Sequence, residues 1–383
     1  MERNREELLT RIYSYAKKVC DEIMNVELYT TILRYHKPFE IATQRVDQEE
    51  MILVLVKTRE NIIGIGEGNL PESQDEKDKI LRKFVYYAGI IRESSIEEAF
   101  ELFVKRISNE ESYIRVPFSL AILDIIARAN EMRFGELFGK ILMEQILTDI
   151  TIGIEPIEET IEDVKKALDE GFKAIKLKVG KGGIRKDLER IESVWKILPE
   201  GTSLRVDANQ GWSLEEGKKI LKEIEKRGID IELLEQPLKR SMIREMSELR
   251  SITTIPIIAD ESARVTEDVY KLKGCVDGVN LKLWKAGDPV EVISMGRVAR
   301  DLGMIVMIGC SSETNIGITA DAYMASVIPI NYADLDSDLL KEDILISKRT
   351  VLKSGYRILP KGYGLNIELN DLIEENVNKI YPT

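Results

Sequence analysis

Three acids and three lysines recur at a regular interval through the second half of the chain. Lys178 is followed after 29 residues by Asp207, then after 28 by Glu235, after 25 by Asp260 and after 22 by Lys282. Lys176 stands two residues before Lys178. Three buried carboxylates brought together repel one another and need a compensating cation. Oxygen-only donors favour a hard ion, Mg²⁺ above all, with positions left open for substrate. A metal flanked by lysines suits one task. It stabilises an enediolate while the lysines move a proton at the carbon beside a carboxylate. Lys176 and the metal would both disfavour an ammonium at Lys178 and lower its pKa towards neutrality.

Each interval is one strand plus one helix long. Strands are expected at Asp149–Ile154, Ala174–Val179, Ser203–Asp207, Ile231–Glu235, Pro256–Asp260, Gly278–Leu283, Ile305–Gly309 and Tyr332–Asp336. Helices are expected between them, among them Ile161–Glu170, Leu214–Arg227 and Pro289–Leu302. Ser213 and Glu216 have capping-box spacing, and Gly171, Gly228 and Gly303 stand where helix ends want a left-handed residue. Eight strands alternating with helices predict a parallel α/β barrel. No glycine-rich dinucleotide loop follows the first strand, which disfavours a doubly wound sheet. On a barrel, every one of the six residues falls near the C-terminal end of its strand, the active-site rim. Alone, a K-x-K is usually a solvated strand face and D-A-N a turn or cap. The ordered set is far more specific.

The remaining composition narrows the function. The chain has 383 residues, net charge −12 and a single histidine, His36, on no motif. A multi-histidine metal site is therefore excluded, and a serine–histidine–aspartate triad would have to be built on His36. The acidic balance argues against nucleic-acid and anionic-membrane partners. Cys20, Cys275 and Cys310 form no CxxC pair, so neither a zinc site nor a disulfide framework is indicated. No apolar run approaches a membrane span, and the charged N-terminus is no secretory signal. A cytoplasmic enzyme with a small-molecule substrate is expected, as a homo-oligomer.

The first part reads differently. Residues 1–24 are expected to form an amphipathic helix, with Leu8, Leu9, Ile12, Tyr15 and Ala16 recurring at helical spacing. Strands follow at Val26–Leu33, Met51–Lys57 and Ile62–Glu67, the last broken by Gly64, Gly66 and Gly68. Residues 75–149 read as helices, interrupted around Asn109–Val116. Beyond residue 348, two short apolar runs return to this α+β region.

The stretches AIKLKVG, RVDANQGW, LLEQP, IIADES and NLKLWKAG resemble the enolase superfamily, in its muconate-lactonizing subgroup. Enolase-superfamily sites pair a lysine or histidine base with Mg²⁺. The resemblance implies a (β/α)₇β modified TIM barrel over 148–347. An α+β capping domain would cover 25–147 plus 348–383, with 1–24 a helical extension. It implies Asp207, Glu235 and Asp260 as metal ligands, Lys178 and Lys282 as the acid/base pair, and Lys176 against the substrate carboxylate. The absent barrel histidine disfavours the subgroup with a His–Asp base. Tyr332-Ala333-Asp334-Leu335-Asp336 resembles the D-x-D of dipeptide epimerases of the L-Ala-D/L-Glu type, where the pair holds the substrate ammonium. MIGCSSETNIGIT is similar to the same proteins, implying substrate contacts around Ser311 and Ser312, and Thr151 matches a threonine on their first strand. In the Ala-Glu type a cap-loop arginine meets an acidic side chain. Here Gln44 takes that place, with Arg45 one residue later. The function so implied is Mg²⁺-dependent epimerisation of dipeptides at the C-terminal residue. A muconate cycloisomerase, an o-succinylbenzoate synthase or an N-acylamino acid racemase is the alternative on this fold. Substrates of the cycloisomerase and the synthase carry no ammonium for Asp334 and Asp336. A non-catalytic barrel would be expected to lose rim residues, and all six are present.

Overall fold

The computed structural model describes residues 3–342, 345–348, 350–370 and 377–381. Residues 1 and 2 of the expected first helix, residues 343–344 of the expected barrel domain and residues 349, 371–376 and 382–383 of the expected tail lie outside them. Helix α1 (Arg3–Ala16) buries Leu8, Leu9, Ile12 and Ala16. It stops well short of residue 24. Buried Asp21 accepts the backbone N–H groups of Glu22 and Glu60 and turns the chain into the next strand.

That strand, β1 (Ile23–Glu40), pairs antiparallel with β2 (Arg45–Thr58), which pairs with β3 (Ile63–Asn69). The glycines do not break β3. Helices α2 (Gln74–Ile91), α3 (Ile96–Phe100, continued by a π turn to Arg106) and α4 (Ser112–Ala129) follow, and α4 lies directly on β3. A Cβ at Gly66 would fall 1.8 Å from the Pro117 carbonyl oxygen. Glycine is therefore what lets helix and strand backbones touch. The interruption expected at Asn109–Val116 is shorter, since α4 already begins at Ser112.

After β4 (Gln145–Leu147) the chain builds its barrel. The strands are β5 (Ile150–Ile152), β6 (Ala174–Lys178), β7 (Ser203–Asp207), β8 (Leu233–Glu235), β9 (Ile257–Ala259), β10 (Gly278–Lys282), β11 (Ile305–Gly309) and β12 (Tyr332–Asp334). All neighbours pair in parallel and in chain order. The ring nearly closes where the Asp149 N–H reaches the Ala333 carbonyl at 3.3 Å. Helices α5 (Ile157–Asp169), α6 (Ile184–Trp195), α7 (Leu214–Arg227), α8 (Ile243–Ser251), α9 (Thr266–Leu272), α10 (Leu283–Ala286), α11 (Pro289–Asp301) and α12 (Asn315–Val327) fill the seven connections. This is the (β/α)₇β plan. Several strands are shorter than expected, and in β9 and β12 the last expected residues, Asp260 and Asp336, already belong to the rim loops. Helix α5 starts earlier than expected, after Pro156, with Glu158 and Glu159 favoured in its first turn. The Ser213–Glu216 capping box opens α7, and Gly228 closes it in the left-handed conformation.

Short strands complete the fold: β13 (Ile346–Lys348), β14 (Val351–Lys353), β15 (Tyr356–Ile358), β16 (Glu368–Leu369) and β17 (Asn378–Tyr381). Strand β17 pairs with β1, so the tail returns to the cap sheet. Helix α1 packs on α11, and the Arg5 guanidinium is 2.9 Å from the Glu291 carboxylate. Inside the barrel, period-two alternation sorts residues by height. Leu233, Ile258 and Met307 form a separate apolar cluster. Two residues further along their strands come Glu235, Asp260 and Gly309.

Candidate active site

Strand register sets the rim. Lys178 pairs with Asp207, and Asp207 with Glu235. Across the ring, Lys282 pairs with Gly309, and Gly309 with Asp334. The local turns are tightly held. Gln236, of the E-Q-P motif, is fully buried at φ 32°. Its side-chain amide oxygen, Oε1, accepts the N–H groups of Asp260 and Ser262, tying the D-E-S turn to the neighbouring strand. Asn209 and Gln210 also have positive φ, 39° and 68°. Such conformations cost energy and cluster where a site must be held in shape.

The expected residues converge. One oxygen each from Asp207, Glu235 and Asp260 lies within 4.8 Å of the others, and all three residues are buried. Lys178 Nζ is 2.6 Å from Asp207 Oδ2, and Lys282 Nζ is 3.0 Å from Asp260 Oδ2. Lys176 Nζ lies 2.8 Å from Glu235 Oε2 and 3.5 Å from Asp207 Oδ2. Burial, with repulsion from Asp207 and Asp260, pushes the Glu235 carboxyl up to about 7. Burial would raise Asp207 and Asp260 too, but the neighbouring lysines hold both below the usual carboxylate range. Asp260 in turn lifts the Lys282 ammonium pKa against the opposing effect of burial. Three hard oxygen donors at this spacing fit a divalent cation of the Mg²⁺ kind.

The eighth strand adds a second acidic pair. Asp334 Oδ2 is 2.6 Å from Lys176 Nζ, and Asp334 Oδ1 accepts the Thr151 hydroxyl at 3.4 Å. Asp336 Oδ2 accepts the Thr151 N–H at 2.5 Å, and the Cys310 thiol is 3.5 Å from its other oxygen. Asp334 thus meets a cation supplied by the protein itself. Burial would raise its pKa, but Lys176 and Lys282 hold it low, while burial and the Asp334 charge push Asp336 up to about 6. Ser311 is exposed, and its N–H is taken by Glu313. Ser312 donates its hydroxyl to Glu49 at 2.7 Å and accepts Lys341 at its carbonyl. It borders a cleft of about 1000 Å³ lined on the cap side by Gln44, Arg45, Asp47, Glu49 and Glu50. Arg45 itself is exposed, 3.9 Å from Glu40. His36 is exposed on β1.

Three further residues touch the site. Asn280 donates to Glu235 Oε1 at 2.8 Å, and Lys285 reaches Asp260 from α10. Glu261, beside Asp260, is pushed up to about 7 by burial and by the Asp260 and Asp207 charges. Asn280 was findable, since it stands two residues before Lys282 and so shares its face. Lys285 gives no such signal, because it lies past the strand end.

A parallel (β/α)₇β barrel with an α+β cap and this acidic rim is the plan of one enzyme class. Comparison with known families agrees. Residues 159–373 match the enolase C-terminal domain-like family, and residues 23–139 match the mandelate racemase / muconate lactonizing enzyme N-terminal domain. The chain belongs to the enolase superfamily. An L-Ala-D/L-Glu epimerase of Thermotoga maritima is 30% identical over 337 residues, which cover 85% of this chain and 95% of that protein. A hydrophobic dipeptide epimerase of Enterococcus faecalis is 29% identical over 82% of this chain and 90% of its own length. Among solved structures, the Cytophaga hutchinsonii dipeptide epimerase complexed with Mg and D-Ala-L-Val superposes with a TM-score of 0.86 at 28% identity. That match covers 94% of this chain and 99% of the other. The Enterococcus faecalis enzyme complexed with Mg and L-Leu-L-Tyr gives 0.83 at 27%, over 91% and 99%. Among the described residues, no helix is long and apolar enough to cross a membrane.

Proposed function

We propose that this chain is a Mg²⁺-dependent dipeptide epimerase that inverts the α-carbon of the C-terminal residue. Mg²⁺ held by Asp207, Glu235 and Asp260 would supply positive charge to the substrate carboxylate and so acidify the α-proton beside it. The chain's own groups do the rest. Lys178 on β6 and Lys282 on β10 stand four strands apart in a ring of eight. They therefore approach a planar intermediate from opposite faces. The neutral amine of one removes the α-proton, and the ammonium of the other returns a proton to the opposite face. In the reverse direction the roles exchange. Lys176, between the carboxylates and Asp334, adds charge on the substrate-carboxylate side. Asp334 and Asp336 receive the free ammonium of the first residue.

The observation that carries the dipeptide reading is this second acidic pair, buried on the same rim as the three carboxylates and separate from them. Relatives named as dipeptide epimerases support it. The test compares free L,L-dipeptides with their N-acetylated forms by chiral chromatography. Free dipeptides should epimerise, with N-acetylation slowing turnover sharply. Faster turnover of N-acylamino acids or succinylbenzoate precursors would move the function to an N-acylamino acid racemase or a synthase.

A further inference from the structure

Each of the three rim carboxylates is gripped from outside by one oxygen. Asp207 Oδ1 accepts the Asn209 N–H at 2.8 Å, and Glu235 Oε1 accepts Asn280 Nδ2 at 2.8 Å. Asp260 Oδ1 accepts Lys285 Nζ. The opposite oxygens, Asp207 Oδ2, Glu235 Oε2 and Asp260 Oδ2, are the ones facing Lys178, Lys176 and Lys282. Two of the grips are neutral amides. The third is a full cation, and it is the one the proton-transfer chemistry does not use.

We infer that Lys285 is a positioning residue for the metal, fixing Asp260 so that Oδ2 is presented to the centre. The inference rests on the metal reading above. Lys285 sits on the short helix α10, three residues past Lys282, and returns towards the barrel. Besides Asp260 Oδ1, its ammonium reaches the Asp260 carbonyl at 2.5 Å and the Asn280 carbonyl at 3.0 Å. All three of its protons thus have acceptors. Two of these acceptors are main-chain atoms, one inside β10 and one just past β9, so the ammonium cannot follow a moving carboxylate. It sets the Asp260 rotamer against the barrel frame. It also bonds the backbone of Asn280, whose side chain grips Glu235, so one lysine braces two of the three ligands. Gly309 leaves the space for that side chain, since a Cβ there would lie 2.5 Å from Asn280 Oδ1.

A positioning role and a purely electrostatic one predict opposite signs. Removing a cation next to a ligand should by charge alone tighten the binding of a second cation. Losing the grip should weaken it, and residues that orient metal ligands typically contribute about 10–100-fold in affinity. The test is Mn²⁺ titration followed by electron paramagnetic resonance, on the wild type, on Lys285→Met and on the milder Lys285→Gln. Circular dichroism checks the fold of each. The expected result is one tight Mn²⁺ per wild-type chain and a dissociation constant about 10-fold or more higher in Lys285→Met. Lys285→Gln, which keeps two donors without the charge, should fall between them and serves alone should the methionine variant not fold. Unchanged or tighter Mn²⁺ binding in a folded variant overturns the inference. Absence of Mn²⁺ binding by the wild type overturns the metal reading and the inference together.

Discussion

Lys176 Nζ stands 2.6 Å from Asp334 Oδ2 and also faces Glu235 at 2.8 Å. One buried ammonium therefore joins the carboxylates of the metal side to the acidic pair of the eighth strand. Burial opposes its charge, but Asp334, Glu235 and Asp207 together raise its pKa well above the ordinary lysine value. Asp334 is then partly neutralised before any substrate arrives, and Asp336 is the less compensated of the two.

The acidic pair should therefore act unequally. Asp336→Asn and Asp334→Asn are each expected to lower kcat/KM for free dipeptides. Removing one partner of a charge-assisted hydrogen bond in a desolvated site costs about 2–5 kcal/mol, or about 30-fold to several thousand-fold in kcat/KM. Asp334→Asn should show the added cost of disturbing Lys176. Steady-state kinetics on both variants checks this, and near-normal kcat/KM in either would mean the pair does not hold the substrate ammonium.

The two lysines should be separable by isomer. Lys178→Ala and Lys282→Ala are each expected to abolish epimerisation, since each base serves one face. In D₂O, proton NMR of one variant should still show α-proton exchange from a single diastereomer. Near-normal epimerisation by either variant contradicts a two-base mechanism.

A second group of buried acids should contribute to the pH dependence of stability. Asp321 on α12 is fully buried, and neither carboxylate oxygen has a hydrogen-bond partner among the described residues. Burial and the nearby Glu313 and Glu67 raise its pKa well above the ordinary value. Burial likewise pushes Glu67 up to about 7 and Glu313 up to about 8. The folded state thus holds protons that the unfolded chain releases near 4.5 from the glutamates and near 3.8 from Asp321. Their stabilising contribution is full below those values and is lost as pH rises through the raised folded values, about 7–8 for the two glutamates. Asp321→Asn removes one such group. Its Tm relative to the wild type should rise between pH 5 and pH 8, by about 2 °C or more. A pH-independent Tm difference, measured by scanning fluorimetry, would exclude this account.

Much of the site was legible because each strand–helix unit recurs after 22 to 29 residues and delivers one chemical residue to one rim. Short-range periodicity could therefore place Lys176, Lys178, Asp207, Glu235, Asp260 and Lys282 without knowledge of their neighbours in space. It failed where a partner distant in sequence decides. Gly64, Gly66 and Gly68 read as a strand break, yet α4 packs against them and makes them a packing surface. Asp334 read as waiting for a substrate cation, yet Lys176, 158 residues away in sequence, already meets it. Asp321 lies in an otherwise apolar helix stretch and gave no signal, because its oddity is the lack of a partner in three dimensions.

The central claim is that a divalent metal and two lysines exchange the α-proton of a free dipeptide. The most direct measurement incubates a library of L,L-dipeptides with the enzyme in D₂O and reads deuterium uptake by mass spectrometry. One arm contains Mg²⁺ and the other is stripped with EDTA. The account predicts a gain of one deuterium at the C-terminal residue of some dipeptides, abolished by EDTA and regained on adding Mg²⁺. Undiminished exchange in the stripped arm, or no exchange in any free dipeptide while N-acylamino acids exchange, would contradict it.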